Sequence, residues 1–70
     1  MTRATNKVLK AARHAARVGL KHSSRVSDVH RAGPGTCVLF FDDGSQQEVT
    51  GTVGGHILSG DLEAVKRCYL

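Results

Sequence analysis

Ten lysines and arginines, four histidines, two cysteines and the acidic pair Asp42-Asp43 are the groups through which this 70-residue chain could do chemistry. The basic ones are patterned. Arg3, Lys7, Lys10, His14, Arg17 and Lys21 follow one another at intervals of three and four residues, the spacing that brings side chains onto one face of an α-helix. At about 100° per residue they fall within an arc of roughly 80°. No acid lies among them, so no i,i+4 ion pair neutralises the stripe. Arg13 and Arg25 are expected to join it. Such a line of cations suits a polyanion: nucleic acid, DNA or RNA, or an acidic protein surface. Lys would act on phosphate as a point charge and Arg as a fork, an attraction blind to sequence and sensitive to salt.

The remaining groups offer less. His14, His22, His30 and His56 have neither the H-x-x-x-H nor the H-E-x-x-H spacing of a helical zinc site. Cys37 and Cys68 form no close pair of the kind that zinc or redox chemistry needs; they read as reduced, buried thiols behaving as small hydrophobes. Asp42-Asp43 precedes Gly44, and Asp-Gly is what a tight hairpin turn requires, so the carboxylates read as turn residues. The segment Gly51-Thr52-Val53-Gly54-Gly55 lacks the lysine and the spacing of a phosphate loop. No catalytic residue, metal or cofactor is expected.

The elements that must carry the stripe follow from periodicity. Residues 3 to about 20 predict a helix, rich in alanine and capped by Thr2 or Thr5, with Gly19 near its end. Opposite the cations lie Val8, Ala12, Ala15, Ala16 and Gly19, a small apolar face fit for close approach to a sheet. Residues 25–32 predict a strand, although Val26 and Val29 stand three apart rather than two. Gly33-Pro34-Gly35 predicts a turn, and Thr36 to Phe41 a central strand apolar on both faces. A third strand alternates Gln47, Val49, Gly51 and Val53 against polar neighbours until Gly54-Gly55 ends it. Ser59 then predicts the cap of a final helix, with Asp61 and Glu63 in its first turn and Leu58, Leu62, Val65 and Tyr69 on one face. The expected fold is α+β: one small domain over residues 1–70, of order αβββα, with a three-stranded antiparallel sheet and two helices on one face.

Composition limits the alternatives. A chain this short buries only about 60% of its unfolded surface, so a partner subunit is a natural supplement to its core. Residues 1–31 hold eight Lys or Arg and one acid; residues 32–70 hold two and five. The longest apolar run is far below the roughly 18 residues of a membrane span. Arg13, His14 and Arg17 interrupt any signal-peptide core, so the expected location is cytoplasmic. The strand Thr36 to Phe41 should leave Val38 and Phe40, or their alternates, on an uncovered sheet face, and a homodimer through that face is expected.

The αβββα order, the Asp43-Gly44 hairpin and Gly60-Asp61-Leu62 at the final helix resemble the small messenger-RNA-cleaving toxins of double-stranded-RNA-binding-like fold. The resemblance implies that fold. The toxins' Gly-x-His at the first hairpin is replaced here by Gly33-Pro34-Gly35, so their ribonuclease activity is not implied. The same order is similar to that of double-stranded-RNA-binding domains, which place their basic residues mainly on the last helix rather than the first. With Asn6 the first helix's only residue of the kind suited to base edges, and no aromatic near the stripe, phosphate and shape recognition is expected rather than base readout or stacking. The functional expectation is a non-enzymatic binding protein that meets nucleic acid with its first helix. The alternative is a compact inhibitor or adaptor that binds a protein, of the kind phages use as anti-host or anti-CRISPR factors.

Overall fold

A computed structural model describes residues 4–69. Helix α1 (Asn6–His14) continues without a break into a π-helical segment (Ala15–Leu20). Strands β1 (Val26–Gly33), β2 (Thr36–Phe41) and β3 (Gln46–Val49) form an antiparallel sheet in chain order. Helices α2 (Gly51–Ser59) and α3 (Leu62–Cys68) follow. The α+β class and the three-stranded sheet are as the sequence implies. The order is αβββαα, with one helix more than expected.

Thr5 begins α1: its hydroxyl accepts from the Val8 amide at 3.3 Å, capping one of the free first-turn donors. Ala11, Ala12, Ala15 and Ala16 are all fully or almost fully buried. Their lack of side chain beyond Cβ lets the helix axis lie close to β1 and to the other two helices. The π turns are wider than α turns, and the segment stops at Lys21, whose backbone is left-handed at φ 52°.

The three-residue spacing of Val26 and Val29 has a physical reason. The register with β2 slips between Val26 and Asp28, so one extra residue bulges out. Both valines then face the helices and both are buried. At the β1–β2 turn Pro34 fixes one central φ and Gly35 takes the positive one, 67°. The β2–β3 turn closes with the Gly44 amide on the Phe41 carbonyl at 3.0 Å, with Gly44 at φ 88°. Cys37, Leu39 and Phe41 point to the helices and are buried; Thr36, Val38 and Phe40 alternate with them on the outer face. Leu39 and Ile57, both fully buried, each contribute about 2–3 kcal/mol of hydrophobic free energy.

The third strand is shorter than its alternation implies. It ends at Val49, and the residues expected to extend it to Val53 instead open α2. Gly51, at φ 75°, makes the change of direction. Gly54 is buried where α2 crosses the sheet: a Cβ there would overlap the Gly35 carbonyl oxygen and lie 2.7 Å from that of Val49. The diglycine thus lies within a helix, with Gly54 as its contact with the sheet, rather than at the end of a strand. Ser59 does not cap the final helix; it closes α2, donating to the Gly55 carbonyl at 2.8 Å. Gly60 reverses the chain at φ 71°, and Asp61 caps α3 by accepting from the Ala64 amide at 3.1 Å. Leu58 therefore belongs to α2, apart from Leu62 and Val65.

Candidate functional site

The fold gathers part of the cationic stripe and adds to it. Lys10, Arg13, His14 and Arg17 from α1 and its extension, Arg25 from the segment before β1, and Leu62 and Lys66 from α3 line one surface groove of about 400 Å³. No carboxylate stands among these residues. Arg13 is the anchored member: half-buried, it donates from Nε to the Val26 carbonyl at 3.1 Å, next to the β1 bulge. A guanidinium has five donors, so four remain on its Nη groups. Among the described residues, Lys10, Arg13, Arg17 and Arg25 make no ion pair; Lys66 approaches Glu63 at 4.0 Å on an exposed turn of α3.

Other expected members fall elsewhere. Arg3 lies outside the described residues. Lys7 is exposed, its stem beside Gly60 at the α2–α3 turn, and it does not line the groove. Lys21 is displaced by the π turns and the left-handed stop; a projection at a constant 100° per residue still finds Arg17 in the π segment but no longer places Lys21. Lys66 was not expected here. It lies four residues after Leu62, one helical turn along the same face, and a helical projection of α3 is the signal that finds it.

A second hollow, of about 370 Å³, adjoins the first at the C-terminal end of α1 and shares Arg13, Arg17 and Arg25 with it. Ala16, His22, Ser23, Ser24 and Val26 complete its lining. The imidazole of His22 stacks on Phe41, centroids 3.6 Å apart and planes 11° from parallel. The fold thus brings an aromatic ring to the end of the stripe, which the sequence order does not suggest.

His22, Ser45 and Asp43 form a chain that invites a nucleophilic reading, and hydrogen-bond direction argues against it. His22 Nδ1 accepts from the Ser24 amide at 3.1 Å, so in the neutral ring the proton sits on Nε2, facing Ser45 Oγ at 3.2 Å. Ser45 gives its own proton to Asp43 Oδ1 at 2.6 Å. The histidine thus donates toward the serine instead of accepting from it, the reverse of what activates a hydroxyl. Asp43 also accepts from the Ser45 amide at 2.9 Å, and these bonds from Ser45 hold its carboxyl below the usual range. They tie the hairpin, as the Asp-Gly signal implies.

On the outer sheet face His30 Nε2 meets Asp28 Oδ2 at 2.8 Å and its ring tilts over Phe40 at 4.8 Å between centroids. Asp28 Oδ1 accepts from the amides of Val29 at 2.8 Å and Ala4 at 3.2 Å. Burial works to raise the Asp28 carboxyl, but the bonds from His30, Val29 and Ala4 outweigh it and leave the group below its ordinary value. Val38 and Phe40 are half-buried on this face; the exposed large hydrophobics are instead Val18 and Leu20, at 37% and 38%.

Cys37 is buried and burial pushes its thiol up. Cys68, expected buried, is exposed on the last turn of α3. Among the described residues no three His, Cys, Asp or Glu side chains gather as a metal set, and no helix is long and apolar enough to cross a membrane. Compared with protein-family models, curated proteins and solved structures, the chain finds no match.

Proposed function

We propose that this protein is a non-enzymatic nucleic-acid-binding module acting in the cytoplasm, with the groove along α1 as its phosphate-binding surface. What carries the reading is convergence: Lys10, Arg13, Arg17, Arg25 and Lys66 reach one groove from three parts of the chain, with no carboxylate among its lining residues. Like charges so placed repel one another unless an anion lies between them. Arg13, fixed by the Val26 carbonyl, binds with little further ordering cost. Lys66 on α3 and Arg25 before β1 join the helix side chains in this groove, so the surface is broader than a single row of side chains.

The test is fluorescence polarisation with duplex DNA, duplex RNA and single strands at two salt concentrations. Neutralising about four phosphates, the wild type loses roughly a hundredfold in affinity between 50 and 200 mM salt. The Lys10→Glu/Arg17→Glu variant abolishes binding while its unfolding free energy stays within about 1 kcal/mol of wild type, as two exposed substitutions do. No binding by the wild type at low salt removes the proposal.

A second reading is favoured by Val18 and Leu20, exposed beside Arg17 and Lys21. Apolar side chains next to cations suit an acidic protein surface, and the protein would then be an inhibitor or adaptor. Its complex would weaken far less with salt, because an apolar contact carries part of the affinity.

A further inference from the structure

We propose that the hollow at the end of α1 seats one unpaired nucleotide of a nucleic-acid strand, its base against His22 and its phosphate among Arg13, Arg17 and Arg25. The inference rests on the nucleic-acid reading above and narrows it to strands with an unstacked nucleotide.

The state of His22 carries it. Both ring nitrogens are taken, Nδ1 by the Ser24 amide at 3.1 Å and Nε2 by Ser45 Oγ at 3.2 Å. One ring face is taken by Phe41 at 3.6 Å. His22 also lines the hollow, and the ring face turned away from Phe41 is the one assigned to the base. An imidazole backed by a buried phenyl ring and held at both nitrogens is a fixed planar platform. Every base has a π-face, so stacking on such a platform tolerates any sequence.

Charge and size agree with this. Arg13, Arg17 and Arg25 line the same hollow with no acid among its lining residues, a bidentate environment for a phosphate. Ser23 and Ser24 complete the wall. A volume of about 370 Å³ lies at the small end of ligand sites, enough for one nucleotide and too little for a base pair with its two backbones. The three arginines also belong to the longer groove, so the strand bearing that nucleotide continues along α1.

Two measurements test it. In the first, 5′-AMP and 5′-UMP are titrated against the labelled protein by amide NMR, with the free nucleosides and inorganic phosphate as controls. The amides of residues 22–26 move with the nucleotides at millimolar concentration, and each control binds at least about tenfold more weakly. In the second, His22→Leu keeps an apolar body on Phe41 but removes the platform. Its affinity for a 12-nucleotide single strand falls by about 5- to 50-fold, while duplex of equal length changes less than about twofold.

Equal effects of His22→Leu on single strand and duplex, or motionless amides at 22–26, overturn the proposal and leave the groove reading standing. Loss of all nucleic-acid binding by the wild type removes both. Micromolar binding of 5′-AMP with no gain from an oligonucleotide assigns the hollow to a free nucleotide and overturns the strand. If the amide spectrum shows His22→Leu unfolded, Arg25→Ala reads the phosphate half: about a tenfold loss for both mononucleotides supports the proposal, and no loss overturns it.

Discussion

Helices α1 and α2 both press against the sheet, and they do so by opposite means. α1 and its π extension approach through four buried alanines, Ala11, Ala12, Ala15 and Ala16, and turn a row of cations outward. α2 approaches through a missing side chain: Gly54 lies where a Cβ would meet the Gly35 and Val49 carbonyls. Alanine keeps high helix propensity while allowing a close crossing; glycine allows a closer one at a cost of about 1 kcal/mol in helix stability. The helix that carries charge is thus intrinsically helical. The helix that carries only packing is held by its neighbours.

The sharpest way to break that comparison is to give α2 the side chain it lacks. Gly54→Ala raises helix propensity, yet its methyl has no room against two backbone oxygens, which cannot rotate away as a side chain can. We expect a loss of about 3 kcal/mol, at the upper end of overpacking costs, read from urea unfolding. Gly55→Ala, next door, meets nothing within 4 Å and is expected to gain about 0.5–1 kcal/mol. Equal effects at the two positions would show that propensity, and not close approach, governs α2.

This difference also explains what could be read from the sequence. α1 is legible because alanines and cations separate cleanly at helical spacing. The hairpin turns are legible because Pro34-Gly35 and Asp43-Gly44 supply the backbone angles such turns demand. α2 is hidden because its first residues, Gly51-Thr52-Val53, continue a period-two pattern, and because two glycines ordinarily mean a break. Only Gly35 and Val49, brought beside Gly54 by the fold, make that glycine a packing device. The β1 bulge reconciles Val26 and Val29, a conflict visible in the sequence whose resolution lies in pairing with β2.

The site divides in the same way. Lys10, Arg13, His14 and Arg17 follow from the helical spacing of α1 and its π extension, whereas Lys66 and the His22–Phe41 stack depend on long-range packing. Lys7 and Lys21 show the limit of projection: one sits beside the turn at Gly60, the other past a π segment that no propensity signals.

The smallest expected effect concerns how the two helices begin. α2 starts at Thr50 with no side-chain cap, while the entry to α1 is tied to β1 by Asp28, which accepts from the Ala4 amide at 3.2 Å and also holds His30. Because the folded carboxyl lies below its ordinary value of 3.8, its contribution is complete above about pH 4 and is lost as pH falls through the folded value. Solvent reaches the pair, so the contribution is about 0.5 kcal/mol. Wild type and Asp28→Asn, unfolded by urea at pH 7 and at pH 2.5, should differ by that much more at pH 7 than at pH 2.5. A gap that does not change with pH would mean that the Asn amide serves the Ala4 and Val29 donors as well as the carboxylate does. The start of α1 would then owe its hold to hydrogen-bond geometry rather than to charge, and it would still differ from the start of α2 by the Thr5 cap that α2 lacks.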